Sequence, residues 1–255
     1  MAARAIWKGI IRCDDFRLPV RLYSAVQDQR IHFHLLHDQD GIRVRQRLLN
    51  SVTGETVDYK QARRGAEVER GVFVMLGEQE LASLEPEESR DIDVLCFLDP
   101  DQINHQWYER PYFLGPDGDN RGYFALAAAL QHEKKEGLAR WVMRRRQYVG
   151  ALRAENEYLA LITVRHADEV IPTSVLEAPA GRNFQQQEVR MAEQLLQSLD
   201  DTFRPADYHD EHRQRVLALI EAKQRGETLE RDEPEEPAES GSLADVLKAS
   251  LKRTR

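Results

Sequence analysis

The chain has 255 residues, of which 41% are apolar and 31% charged, and its formal net charge is −8. That supports one large or two small domains with a real core and much exposed surface. No apolar run reaches the roughly 18 residues that span a bilayer, no secretory signal opens the sequence, and Cys13 and Cys96 make neither a disulfide framework nor a zinc knuckle, so free thiols in a cytoplasmic protein are expected. Residues 5–114 are strand-like. Short apolar or alternating runs at Ile6–Ile11, Val20–Tyr23, Ile31–Leu36, Ile42–Leu49 and Val72–Leu76 are separated by Gly, Asp and Asn turns. Glu78–Leu84 predicts a short helix ending before Pro86, and Tyr123–Lys135 an alanine-rich helix closed by Gly137. Strands are expected at Leu138–Met143 and Tyr158–Val164, then a crossing region marked by Pro172 and Pro179.

Beyond Pro179 the period becomes helical. Val189, Ala192, Leu195, Leu196 and Leu199 share one face, and Val216, Leu217 and Ile220 another. Residues 226–241 are acidic, proline-bearing and poor in apolar side chains, the composition of a flexible linker. Leu243, Val246, Leu247 and Leu251 then form a last short amphipathic stripe that Ser242 can cap. A helix that short is marginal alone in water, which fits a segment that folds on a partner. Strands first and helices last read as α+β. The domain division is 1–180 for the core, 181–226 for a helical region, 227–241 for the linker and 242–255 for the tail.

Charge is segregated. Residues 227–239 hold seven acidic side chains and one arginine, a net of −6, while residues 131–153 hold seven Lys/Arg and two Glu, a net of +5. The most informative stretch is GIRVRQRLLN, residues 41–50. Arg43, Arg45 and Arg47 alternate with Ile42, Val44 and mostly apolar successors, which predicts a strand with one apolar and one guanidinium face. Taken by itself, such a row is also what a solvated sheet face looks like. Lys60, Arg63 and Arg64 follow, and Arg140, Arg144, Arg145 and Arg146 end a later strand. An arginine fork donates two parallel hydrogen bonds to one phosphate, and same-face strand residues lie roughly 6.8 Å apart. Such a row can follow phosphates without reading bases.

Other chemistries fit less well. GPDGDNRG (residues 115–122) lacks the Lys-Ser/Thr end of a phosphate-binding loop, and there is no nucleophile elbow. His32/His34 and His209/His212 could each give two metal ligands but no third nearby, and Glu85, Glu87, Glu88, Asp91 and Asp93 read as a solvated acidic loop. A metal-dependent nuclease or hydrolase using that loop and His209/His212 is the alternative reading; a protein-interaction scaffold is a third. No catalytic residue, metal or cofactor is expected.

The order of blocks decides between them. ARAIWKG (3–9), LPVRLYSA (18–25), FHLLHDQDG (33–41), VERGVFVMLGEQELASLEPEESRDIDV (68–94), YFLGPDGDNRGYFALAAAL (112–130), GLARWVMRRRQYVGALR (137–153), ADEV (167–170), MAEQLLQSL (191–199) and YHDEHRQRVLALIEAK (208–223) follow one another at similar spacing over nearly the whole chain. Together they closely resemble bacterial Ku, the DNA-end-binding family of non-homologous end joining. IIRCDDFRLPV (11–20, from its second Ile) is more charged than the family's usual stretch, and a glycine common between the later arginines is replaced in Arg144-Arg145-Arg146. The resemblance implies a β-barrel core with an extended DNA-encircling arm, then a helical part and a flexible tail. It implies a homodimeric ring around double-stranded DNA ends at the nucleoid. It also implies an ATP-dependent DNA ligase D as partner, with Leu243, Val246, Leu247 and Leu251 as the meeting surface.

Overall fold

The computed structural model describes residues 4–176 and 185–227. They fall into two compact units, one of residues 4–29 and 33–172, the other of residues 30–32, 173–176 and 185–227.

The first unit begins with the hairpin β1 (Trp7–Cys13) and β2 (Phe16–Ser24). Residues 25–90 are an insertion with only short elements. These are β3 (Leu48–Leu49), β4 (Thr56–Val57), β5 (Arg64–Glu69), β6 (Val72–Leu76) and helix α1 (Glu78–Ser83). The chain resumes with β7 (Asp91–Leu98), β8 (Tyr108–Pro116), helix α2 (Asn120–Glu133), β9 (Glu136–Met143), β10 (Arg146–Glu155) and β11 (Tyr158–Val164). Seven strands close a barrel in the order β1-β2-β8-β11-β10-β9-β7. All neighbours are antiparallel except β1 and β7, which run parallel through the pairs Ile10–Asp91, Ile11–Ile92 and Arg12–Asp93.

Alternation of burial makes the core. On β2, Leu18, Val20 and Leu22 are buried while Arg17, Pro19 and Arg21 are exposed. On β9, Ala139, Trp141 and Met143 point in and Arg140 out. Trp141 stacks on Tyr148 directly across the β9–β10 ladder, with ring centroids 5.6 Å apart. The indole needs a glycine beneath it: a Cβ at Gly150 would lie 2.8 Å from the ring and collide with the Ile162 carbonyl oxygen. Each fully buried leucine contributes about 1.5–3 kcal/mol through its removal from water.

Helix α2 joins this core through Tyr123, Ala127 and Leu130, spaced four and three apart on one face. Asp119 caps it by accepting from the Gly122 N–H at 2.9 Å, and Lys134 ends it in left-handed backbone. The buried Tyr123 hydroxyl donates to the Leu114 carbonyl at 2.5 Å and accepts from the Leu159 N–H at 2.8 Å. Leu114 and Leu159 are register partners of β8 and β11, so one hydroxyl ties the helix to both strands. Burial raises the Tyr123 phenol above its ordinary range. A second polar lock lies at Glu136, which is 2% exposed. Tyr108 donates to its Oε2 at 2.7 Å, and Arg153 Nε lies 3.2 Å from Oε1. Burial first, and the bond to Glu136 second, push Tyr108 up to about 12.

The barrel followed by helices agrees with the expected mixed fold. Strand Val72–Leu76 and strand Tyr158–Val164 form as expected. The helix expected at Tyr123 starts at Asn120, because Asp119 supplies the cap, and it ends at Lys134, before Gly137. Gly137 instead lies inside β9. β7, β8 and β10 were not separately expected. In β8, Pro111 breaks the strand signal; it is tolerated beside the register shift at Ile162 and Val164. The expected strands Ile31–Leu36 and Ile42–Leu49 reduce to the isolated bridge Leu36–Arg43 and the two residues of β3.

In the second unit, α3 (Gln186–Ser198) and α4 (Glu211–Gln224) lie where the helical period placed them. Val189, Ala192 and Leu195 are half-buried, whereas Leu196 and Leu199 are 72% and 64% exposed. Val216, Leu217 and Ile220 are half-buried as well. The tail stripe of Leu243, Val246, Leu247 and Leu251 lies outside the described residues.

Replacing Tyr123 with Phe orphans a buried carbonyl and a buried N–H together. The loss expected is about 1–3 kcal/mol, read as a lower denaturant midpoint at unchanged slope. A midpoint equal to wild type would show that the hydroxyl bridge contributes nothing.

Candidate nucleic-acid interface

None of residues 25–90, all of them described, is buried. The insertion nevertheless carries large apolar side chains: Phe33 is 72% exposed, Leu35 69%, Phe73 62% and Met75 76%. This explains why the arginine row does not form the expected strand. Period-two alternation specifies a strand when its apolar face has a layer to pack on. Within one chain Ile42 and Leu49 remain 65% and 61% exposed, so nothing holds the ladder beyond one bridge.

What forms is a loose hairpin. His37 N–H donates to the Ile42 carbonyl at 2.8 Å and Val44 N–H to the Leu35 carbonyl at 3.0 Å. Leu36 and Arg43 thus face each other as a non-hydrogen-bonded pair. Asp40 Oδ1 accepts from the Ile42 N–H at 3.0 Å and lies 2.9 Å from His37 Nδ1, and Gly41 takes the left-handed backbone the turn needs. Arg43 and Arg45 line one shallow cleft with Phe33, His34 and Leu35. Arg47 lies beyond it, just before β3.

The other candidate cations take varied positions. Lys60 sits in a 3-10 turn capped by Asp58, whose Oδ1 accepts from the Lys60 N–H at 2.9 Å. Arg63 precedes β5 and Arg64 opens it, opposite Leu76. Arg140 stands on the outer face of β9 opposite Asp93, but that carboxylate is held by Arg12 at 2.6 Å. Arg144 and Arg145 are the two-residue loop between β9 and β10, and Arg146 opens β10 opposite Met143. All ten residues are exposed. Of the ten, Arg145 alone forms an ion pair among the described residues, 3.5 Å from Glu85.

The structure adds cations that sequence reasoning passed over. On the outer face of β1 and β2, Lys8 lies opposite Arg21 and Arg12 opposite Arg17. Alternation of charge along both strands was the available signal. Most of these are neutralised locally. Asp117 binds Arg21 at 2.6 Å and Lys8 at 2.9 Å, while Arg12 binds Asp93 and, at 3.4 Å, Asp91. The Arg21 hydrogen bond, then that of Lys8, holds the Asp117 carboxyl below its usual range, and Asp117 in turn raises Arg21.

No group of three or more His, Cys, Asp or Glu among the described residues is placed to hold a metal. Asp210, between His209 and His212, caps α4 by accepting from the Arg213 N–H at 2.9 Å. Asp91 and Asp93, expected on a solvated acidic loop, instead lie on β7, where Arg12 engages both, and Glu85 is held by Arg145. No helix among the described residues is long and apolar enough to cross a membrane.

Comparison with known proteins gives a consistent set of relatives. The family described as the Ku70/Ku80 beta-barrel domain matches residues 12–194. Non-homologous end joining protein Ku 2 of Geotalea uraniireducens (strain Rf4) is 36% identical over 255 residues, covering 99% of this chain and 99% of its own. Its counterpart from Anaeromyxobacter sp. (strain K) is 37% identical over 99% of this chain and 86% of its own. That of Coxiella burnetii (strain RSA 331 / Henzerling II) is 32% identical over 97% and 92%.

Because Arg43, Arg45 and Arg47 are exposed and carry no ion pair among the described residues, replacing all three with Ala should leave stability within about 0.5 kcal/mol per site. A thermal melt of the triple variant checks this. A large loss would assign these arginines a role in holding the fold.

Proposed function

The chain belongs to the Ku family, non-enzymatic DNA-end-binding proteins of bacterial non-homologous end joining, and from that premise we propose how it works. Two copies form a ring-shaped homodimer that threads onto a double-stranded end without reading its sequence. The insertion of residues 25–90 is the DNA-encircling arm. Residues 1–180 act as the core, 181–226 as a helical region, 227–241 as a linker and 242–255 as the tail that recruits ATP-dependent DNA ligase D in the cytoplasm at the nucleoid.

One observation carries this reading. The insertion buries nothing within its own chain, yet exposes many large apolar side chains beside unpaired arginines. A symmetry-related copy laid on this face would cover its exposed apolar side chains, as stable homodimer interfaces do. Burial against a second copy would also supply the layer that the Ile42–Leu49 run lacks. Arg43, Arg45, Arg47, Lys60, Arg63, Arg64, Arg140, Arg144, Arg145 and Arg146 are the proposed phosphate contacts. Such contacts fix position without carrying sequence information, as a protein meeting arbitrary broken ends requires.

The test compares linear and covalently closed duplexes of one sequence in one buffer. The wild type should load on the linear form and scarcely on the circle, and ligating the ends after loading should trap it. Equal retention on both would sink the ring. On the linear form, the Arg43, Arg45 and Arg47 triple Ala variant should bind more weakly and lose up to roughly 0.9 unit of logarithmic salt slope per phosphate contact.

The tail makes a separate claim through Leu243, Val246, Leu247 and Leu251. Deleting residues 240–255 should leave loading nearly intact while abolishing stimulation of ligase D in a joining assay. Full stimulation by the truncated protein would show that recruitment lies elsewhere.

A further inference from the structure

The barrel end that launches the insertion carries a second cationic feature. β2 runs antiparallel to β1 and β7 parallel to it, so the insertion leaves and returns at the same end, where β1 begins and β9 finishes. A cleft of about 480 Å³ opens there. Trp7 and Lys8 of β1, Glu88 and Arg90 of the returning insertion, and Arg144 and Arg145 of the β9–β10 loop line it. Four cations therefore meet one carboxylate on these walls. Lys8 is already bound to Asp117, and Arg145 to Glu85. Arg90 and Arg144 form no ion pair among the described residues.

The backbone of the loop gives an independent reason to notice these arginines. Arg144 and Arg145 adopt φ of 52° and 62°. A two-residue hairpin loop with both φ positive is met most easily by Asn-Gly or Gly-Gly. Arginine is strained there, as Glu157 is at φ 70° in the β10–β11 loop. A turn alone would be better served by glycine. The same two residues that carry the strain wall a concave site that already holds an unpaired guanidinium from another element.

We propose that this cleft binds a phosphate group, with Arg90 and Arg144 as its principal donors and Lys8 and Arg145 adding field. Two guanidinium forks can donate to several oxygens of one phosphate, and concave walls of one sign concentrate potential even on an acidic protein. Two sources share this chemistry: the monoester at a DNA 5′ end and the diesters along the strand. The assignment to DNA rests on the end-binding reading; the phosphate chemistry does not.

The test uses the full chain. Inorganic phosphate is titrated against chloride at matched ionic strength while following tryptophan fluorescence, since Trp7 lines the cleft. The wild type should give a saturable response, weakened at least about tenfold in an Arg90→Gln, Arg144→Gly double variant. Arg144→Gly alone should match or exceed the wild-type Tm, because glycine relieves the strain, so lost binding is not lost folding. No saturable response in the wild type, or identical isotherms in both proteins, would overturn the site. Duplexes ending in 5′-phosphate or 5′-hydroxyl then identify the source. A several-fold preference for the phosphorylated end, lost in the variant, assigns the monoester. An equal drop in salt slope on both duplexes assigns diesters. Saturable phosphate binding with neither duplex effect overturns the assignment to DNA. A protein that binds phosphate but does not load on linear DNA keeps the cleft and loses the end-binding reading.

Discussion

A closed barrel with an odd number of strands cannot alternate direction all the way round: one neighbouring pair must run parallel. In this seven-stranded barrel that pair is β1 and β7, and it is the constraint on which the rest of the molecule depends. Parallel neighbours cannot be joined by a tight turn and need a long crossover. The route from β1 to β7 runs through β2 and the whole of residues 25–90. The seam is short, three register pairs, and is reinforced on its outer face by Arg12. That guanidinium approaches Asp93 at 2.6 Å and Asp91 at 3.4 Å, so one residue of β1 grips two of β7.

Much follows from this closure. Because β2 makes the return that the parallel seam requires, the insertion leaves and re-enters at one barrel end, its two roots fixed by ladders that belong to the core. The opposite end is closed by α2 through Tyr123 and its bonds to Leu114 and Leu159. One end is thus packed and self-satisfied. The other launches a long segment whose large apolar side chains, Phe33, Leu35, Phe73 and Met75 among them, stay exposed. Rigid closure at one end gives a fixed origin for the exposed segment at the other.

The legibility of the sequence follows the same division. β6, β11 and α2 were readable because their periodicity is local: Tyr123, Ala127 and Leu130 form a stripe whatever surrounds them. β10 escaped notice because it opens on Arg146 and Gln147 and passes through Gly150 and two alanines, residues chosen for close packing under Trp141 and beside β11 rather than for apolar alternation. The arginine row erred the other way. Its alternation between Arg43 and Leu49 is clear, but a pattern specifies a strand only against a layer, and the isolated chain offers none. Lys8 and Arg90 were invisible as partners of Arg144 because they meet through the β1–β7 closure, which no local spacing announces. Block order over the whole length identified the family even where individual elements were misread.

The acidic net charge of −8 is compatible with the proposed phosphate contacts because of where the carboxylates go, not because of how many there are. Asp117 neutralises Arg21 and Lys8, and Asp91 with Asp93 neutralises Arg12. These pairs lie on the barrel wall, where they brace β1 against its neighbours. Among the described residues, cations without a carboxylate partner include Arg43, Arg45, Arg47, Lys60, Arg63 and Arg64 on the insertion, Arg90 at its root, Arg140, Arg144 and Arg146 on and after β9, and also Arg17 on β2 and Arg110 on β8. An arginine already bound to a carboxylate must break that pair to take a phosphate, whereas an unpaired one exchanges only water and counterions. Counting arginines would therefore rank the barrel wall with the insertion. Following their partners sets the insertion's guanidiniums apart from Arg12 and Arg21, whose carboxylate pairs brace the barrel wall.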